Sequence, residues 1–182
     1  MKQNGRILVF TLALSMTTTF LMVPTASALS LGILGGASLP GGSLSDTAVS
    51  PAFLYGAEAT FGTIIDIGAF YEKTNINLKA SGSFPEISQP NTFYGILGRI
   101  NILSLFGDVK VGPSSFAGST TAVAGSTPLV IQDFPMRFSY GLGAGFKYNV
   151  APFFDLMPRL GYRNFSGGNS TTDLTMIFAF LF

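Results

Sequence analysis

The sequence predicts an all-β chain folded as an eight-stranded antiparallel up-and-down barrel that crosses a membrane. Three observations lead there. The final stretch, Thr171-Thr-Asp-Leu-Thr-Met-Ile-Phe-Ala-Phe-Leu-Phe182, repeats Leu174, Met176, Phe178, Phe180 and Phe182 at every second position. In a strand those side chains share one face, and a row of that kind suits hydrocarbon rather than water. Apolar residues make up 47% of the chain and charged residues 10%, yet beyond residue 28 no run is long and apolar enough for a membrane helix. Turn signals then divide that remainder into period-two segments.

The N-terminus carries an export signature. Lys2 and Arg6 precede a largely apolar run from Ile7 to Val23, and Ala26-Ser27-Ala28 supplies a small-x-small cleavage pattern. A retained helix is the competing reading, but Thr17-Thr18-Thr19 interrupts the run and its length is marginal for a span. The expectation is a signal peptide over residues 1–28 and one domain over 29–182. Without Lys2 and Arg6 that domain has eight basic and nine acidic residues, a net charge of −1, so nothing argues for nucleic acid as a partner. Cys and His are both absent. That removes disulfides, thiolate chemistry and the commonest general base and metal ligand, and no cofactor or metal is expected.

Eight strands are predicted near 29–37, 51–61, 65–74, 92–102, 104–112, 135–148, 152–163 and 171–182. The first turns Leu34 inward. The second alternates Phe53, Tyr55, Ala57 and Phe61 outward with Leu54 and Glu58 inward. The third sets Ile67, Ala69 and Tyr71 against Asp66, Phe70 and Glu72. The fourth sets Tyr94, Ile96 and Ile100 against Leu97 and Arg99, and the fifth sets Val109 against Phe106, Asp108 and Lys110. The sixth has the clearest parity: Phe138, Tyr140, Leu142, Ala144, Phe146 and Tyr148 on one face, Arg137, Ser139, Gly141, Gly143, Gly145 and Lys147 on the other. The seventh sends Phe154, Leu156, Leu160 and Tyr162 outward and Asp155, Met157, Arg159 and Arg163 inward. The eighth keeps Asp173, Ile177 and Leu181 inside.

Connections after the second, fourth and sixth strands are short, around Gly62-Thr63-Ile64, Leu103 and Asn149-Val150-Ala151. The others are longer and rich in Gly, Ser, Thr and Pro. Short turns at one end and longer loops at the other match the two sides of an outer-membrane barrel.

Charge placement follows the same parity. Glu58, Asp66, Glu72, Arg99, Asp108, Lys110, Arg137, Lys147, Asp155, Arg159, Arg163 and Asp173 face inward, six acids and six bases, while Asp46, Lys73, Lys79, Glu86 and Asp133 fall in loops or at strand ends. A midplane Lys or Arg on the lipid face would cost about 2–4 kcal/mol, and this parity puts none there. The expected role of the inner set is a structural ion-pair network filling a narrow lumen. Arg99, Lys147, Glu58, Asp66 and Asp155 are expected in a layer near the turns, with Arg137, Arg163, Glu72 and Asp173 in another near the loops. On the outer face, Phe53, Tyr55, Tyr71, Tyr94, Phe138, Tyr140 and Tyr162 form a belt at the loop end, and Phe61, Phe146, Tyr148, Phe154, Phe180 and Phe182 a second at the turn end.

With strand count, loop asymmetry and the terminal Phe182 in hand, the chain resembles the small eight-stranded bacterial outer-membrane barrels of the OmpA, OmpX and OmpW types. The resemblance spans residues 29–182 and singles out no one family. It implies an outer-membrane location, contact with outer-membrane lipid, and recognition of Phe178, Phe180 and Phe182 by the barrel-assembly machinery as a C-terminal signal. Enzymes of similar architecture generally rely on a catalytic His, which this sequence lacks, so catalysis is not expected. The expected role is structural or surface-interacting, without a wide pore, because eight strands enclose little more than their own side chains. No loop partner can be named from the nearly uncharged stretch 113–134.

Several motifs invite over-reading. Gly141-Leu-Gly-Ala-Gly145 lacks the spacing of a phosphate cradle and sits inside a strand. Asn164-Phe-Ser166 and Asn169-Ser-Thr171 match a glycosylation sequon that means little in a bacterial envelope. Pro158 interrupts the seventh strand, where it removes a ladder donor. Either a bulge absorbs it, or the gap opens a lateral path between lumen and membrane for a small hydrophobic molecule, an OmpW-like alternative. That path needs a cavity behind Pro158.

Overall fold

The computed structural model describes residues 28–42, 44–79, 87–116, 120–121, 129–130, 134–165 and 169–182. Apart from Ala28, the expected signal peptide lies outside the described residues, as do Glu86 and Asp133. Eight long strands run in sequence: β1 (Ala28–Gly42), β2 (Ala48–Gly62), β3 (Ile65–Leu78), β4 (Ile87–Ile102), β5 (Leu105–Phe116), β6 (Phe134–Phe146), β7 (Phe154–Phe165) and β8 (Asn169–Leu181). Each pairs antiparallel with the next, and β8 pairs with both β7 and β1, so the sheet closes. Closure leaves no unpaired strand edge, the condition for placing a sheet in hydrocarbon.

The strands are longer than the sequence pattern predicts, and almost all of the excess is at the loop end. β1 runs five residues past Ala37, and β3 runs to Leu78 where the pattern fades at Thr74. Lys73, expected at a strand end, is half-buried within β3. The first loop shrinks to a short turn holding α1 (Leu44–Thr47). The excess is invisible to a search for apolar alternation because ladder hydrogen bonds come from the backbone, and above the outer belt the outward residues are polar. There the barrel has a small core of its own, with Ala48, Ala52 and Ile76 buried and Leu44, Leu78 and Phe116 packed against them.

At the turn end the connections are as tight as expected. Gly62 and Ile65 flank one turn, with Gly62 at φ +149°, and Leu103 takes a left-handed conformation at φ 57° in another. β6 breaks at Lys147, whose amide donates to the Ser104 carbonyl at 2.7 Å, and resumes as Tyr148–Ala151.

The parity holds around the wall. Phe138, Tyr140, Leu142, Phe146 and Tyr148 are exposed along β6, and Leu174, Phe178 and Phe180 along β8. The belts close laterally: Tyr71 stands beside Tyr94 on the loop side, and Phe154 beside Phe180 on the turn side with ring centroids 5.2 Å apart. Inside, Leu34, Leu54, Phe106, Met157, Ile177 and Ala179 form one apolar cluster, and Phe70, Phe93 and Leu97 another.

Gly95 marks a backbone constraint within β4. Its φ is +155°, and an added Cβ would collide with the Val111 carbonyl oxygen of β5. The Gly95→Ala variant should therefore lose about 1–3 kcal/mol of stability, read as a lower urea midpoint for unfolding in detergent micelles.

Candidate functional site

The lumen is where this chain concentrates its chemistry. Ten of the twelve predicted inner charges are buried: Glu58, Asp66, Glu72, Arg99, Asp108, Lys110, Asp155, Arg159, Arg163 and Asp173. Period-two alternation puts them there, since each lies on the opposite face from its lipid-facing neighbours. Eight of them join into one network. Arg159 grips Asp108 through Nε at 2.8 Å and a second nitrogen at 2.7 Å, a bidentate pair. Arg99 reaches Asp108 at 3.8 Å and Glu58 at 2.6 Å. Lys110 spans Glu58 at 3.5 Å and Glu72 at 2.6 Å. Arg163 completes the chain between Glu72 at 3.0 Å and Asp173 at 2.9 Å. Four bases meet four acids, so the network is neutral.

This differs from the two expected layers. The network is one continuous column, and Lys110 links its lower and upper parts. Lys147 pairs separately with Asp155 at 3.0 Å near the turns, where Asn149 also donates to Asp155 at 2.6 Å. Asp66 accepts from Asn101 at 2.8 Å rather than from a cation. Arg137, expected in the upper layer, is exposed at the loop end. It lies three residues in from the Phe134 end of β6, opposite Ser114.

Most contacts cross the bore instead of joining neighbouring strands. Arg163 on β7 meets Glu72 on β3, the opposite wall, and Arg159 on β7 meets Asp108 on β5. Sequence parity gives the face of each residue but not its height or its reach, so these pairings were not legible. Short polar helpers were missed for a related reason, having no charge to flag them. Ser38 donates to Asp173 at 2.6 Å, and Ser114 shares a hydrogen with Ser139 at 2.6 Å. Aromatic rings cover the cations: Arg99 lies over Phe106 at 5.0 Å, Lys110 over Phe70 at 5.3 Å and Arg163 over Phe93 at 5.2 Å. Inward glycines make room, since a Cβ at Gly143 or Gly161 would collide with the Arg159 guanidinium. Below the network, at the turn end, is a cavity of about 170 Å³ lined by Thr60, Asp66, Arg99, Lys147 and Asp155 among others.

Pro158 is not a bulge. Arg159 faces Gly145 and Leu156 faces Tyr148 in one unbroken register, while the register shift lies at Phe154/Asp155 beside the turn. The pairings lost between these points are those that need an N–H at residue 158 directed at Phe146, which Pro cannot supply. Behind the gap, Met157 is buried in the cluster with Leu34, Leu54, Phe106 and Ile177. Phe178, Phe180 and Phe182, expected from the sequence to form a C-terminal signal, are all exposed on the outer wall.

Solved structures share this architecture, and two of them superpose as follows. Neisserial surface protein A (NspA) superposes with a TM-score of 0.60 at 13% identity, covering 85% of this chain and 99% of that one. The chain folds as a small eight-stranded outer-membrane β-barrel. Ail, the attachment invasion locus protein of Yersinia pestis, solved in complex with the heparin analogue sucrose octasulfate, gives 0.55 at 12% identity, with 85% and 99% covered. No family model and no curated protein matches the sequence. At such identities the likeness concerns the fold.

Glu72 anchors two cations, Lys110 and Arg163. Glu72→Gln should destabilise the barrel by about 3–5 kcal/mol by leaving buried positive charge uncompensated. Adding Arg163→Met to that variant should recover part of the loss in a double-mutant cycle of urea unfolding.

Proposed function

We propose that the protein is a non-catalytic component of the bacterial outer membrane, acting through its wall and its loop-end surface rather than as a conduit. The observation that carries this reading is the neutral ion-pair column bridging opposite walls. It occupies the space a solute would need, and it ties each of its carboxylates to a base. An acid–base catalyst needs a group free to exchange a proton with substrate, and with neither His nor Cys the chain has few other candidates.

The two structural neighbours are named for the cell surface and for attachment, and a surface role at the loop end is the corresponding reading for this chain. Its chemistry differs from a polyanion receptor. Outside the inner set, the basic Lys73 and Lys79 are outnumbered by the acidic Asp46, Glu86 and Asp133, and the exposed Arg137 only restores balance. Lys79 is also engaged, its ammonium donating to the Ser45 and Asp46 carbonyls at 3.4 and 3.2 Å. A partner at this surface is therefore recognised by apolar and neutral polar contacts.

Lateral passage of a hydrophobic molecule is a second reading, motivated by the ladder gap at Pro158. Met157 both packs in its buried apolar cluster and lines the cavity of about 170 Å³ at the turn end. The other walls of that cavity are largely polar or charged, including Thr60, Asp66, Arg99, Lys147 and Asp155, and so suit an apolar molecule poorly. Planar-bilayer recordings should give no large, steady conductance, and a stable porin-sized current would overturn the first reading. Pro158→Val should restore the bond to Phe146, raise stability by about 1 kcal/mol and leave uptake of hydrophobic probes unchanged. Slower uptake in that variant would favour passage.

A further inference from the structure

The lipid-facing wall is recessed across β4 and β5, and in a second, smaller place beside Ala57, Ala59 and Ala69. Gly98 and Gly107 both face outward in the first recess, at diagonal positions between the pairs Gly98–Val109 and Ile100–Gly107. They floor a groove of about 680 Å³ walled by Ile65, Ile100, Ile102, Leu105, Val109 and Leu142. It runs from the short turns toward the middle of the barrel.

Nothing within the chain requires glycine at these two places. A Cβ at Gly98 would meet nothing within 4 Å, and one at Gly107 only the Gly143 carbonyl oxygen at 3.8 Å. Neither has a positive φ, and the β4–β5 register passes through both without a shift. Gly35 on β1 is equally open but lies outside this groove, whereas a Cβ at Gly36, Gly56, Gly68 or Gly112 would collide with a neighbouring backbone. Glycine inside a strand weakens it, and it ordinarily marks a bulge, a bend, or a close approach by a ligand or another backbone. The unshifted register excludes a bulge here. A close approach is left.

We propose that this groove holds a hydrocarbon chain of a phospholipid from the leaflet on the turn side. The occupant follows from position and chemistry. The groove is continuous with the lipid-facing band, its walls are aliphatic, and it lies on the turn-side half of the wall. A second copy of the chain is disfavoured. A stable protein interface needs roughly 800 Å² from each partner, and this recess is confined to one half of the wall around β4 and β5. Transmembrane packing also draws on interfacial hydrogen bonds, and the charged residues along the groove, Arg99 and Asp108, turn their side chains into the buried lumen network instead.

The test uses the intact barrel extracted from membranes in mild detergent and analysed by native mass spectrometry. The wild type should retain one phospholipid that a Gly98→Val/Gly107→Val variant loses, with occupancy falling about tenfold. A control variant on the same face, Leu174→Val, should keep it. Equal lipid retention in the wild type and the filled variant would overturn the proposal. So would a wild-type dimer that the filled variant abolishes, which would assign the groove to a second copy. Should the double variant fail to fold, a phospholipid with a photoreactive acyl chain decides the matter on the wild type. Labelling should concentrate several-fold on the peptide spanning residues 98–109, and uniform labelling around the barrel would refute the site.

Discussion

The structure depends on the neutralisation of charge inside a bore too narrow for bulk water. A closed eight-stranded sheet fixes the diameter, and lipid outside forces ionised side chains at membrane depth inward, while Lys73, on the outward parity, sits near the loop end of β3. Each charge must then find an opposite charge within reach or bear a desolvation cost of several kcal/mol. Arg99, Lys110 and Arg159 meet that condition by reaching Glu58, Glu72 and Asp108 two strands away, and Arg163 by pairing with Asp173 on the adjacent strand and Glu72 on the opposite wall. Long side chains are essential to this, because contacts such as Arg163–Glu72 span opposite walls.

The same constraint explains the composition of the lumen. Rings of Phe70, Phe93 and Phe106 cover the cations and occupy volume without adding charge. Glycines leave room where a guanidinium lies against the wall, as Gly143 and Gly161 do for Arg159. A catalytic site would need one member of this set unpaired and accessible. Here the carboxylates of the column are committed to their partners, which is why the proposed function rests on the outer surfaces. Those surfaces divide in chemistry, the loop end being polar and nearly balanced in charge and the wall apolar throughout.

Reading the outer wall as a surface with its own relief, rather than as a uniform coat, changes what its glycines mean. Inward glycines answer to the crowded lumen, and several others answer to neighbouring backbone. Gly98 and Gly107, like Gly35, answer to neither, but only Gly98 and Gly107 lie together in the groove proposed for lipid.

Sequence by itself determined the strand number, the facing of nearly every residue and the membrane-type polarity of the barrel. These depend on two-residue alternation, which the chain prints directly: Leu174 to Phe182 on β8 and Phe138 to Tyr148 on β6 read outward in both sequence and structure. It also placed the inner charges on the right face; Arg137 shares that inward parity, opposite the buried Ser114, but its height near the loop end leaves it exposed. Only the tertiary structure decided which charges pair, how far the strands extend past the outer belt, and that Pro158 sits in unbroken register. Partners across a bore depend on shear and height, which no local pattern encodes. Strand extension rests on backbone bonds that carry no side-chain signature. The recess at Gly98 and Gly107 likewise required β4 and β5 side by side, since two glycines nine residues apart reveal nothing until the register brings them together.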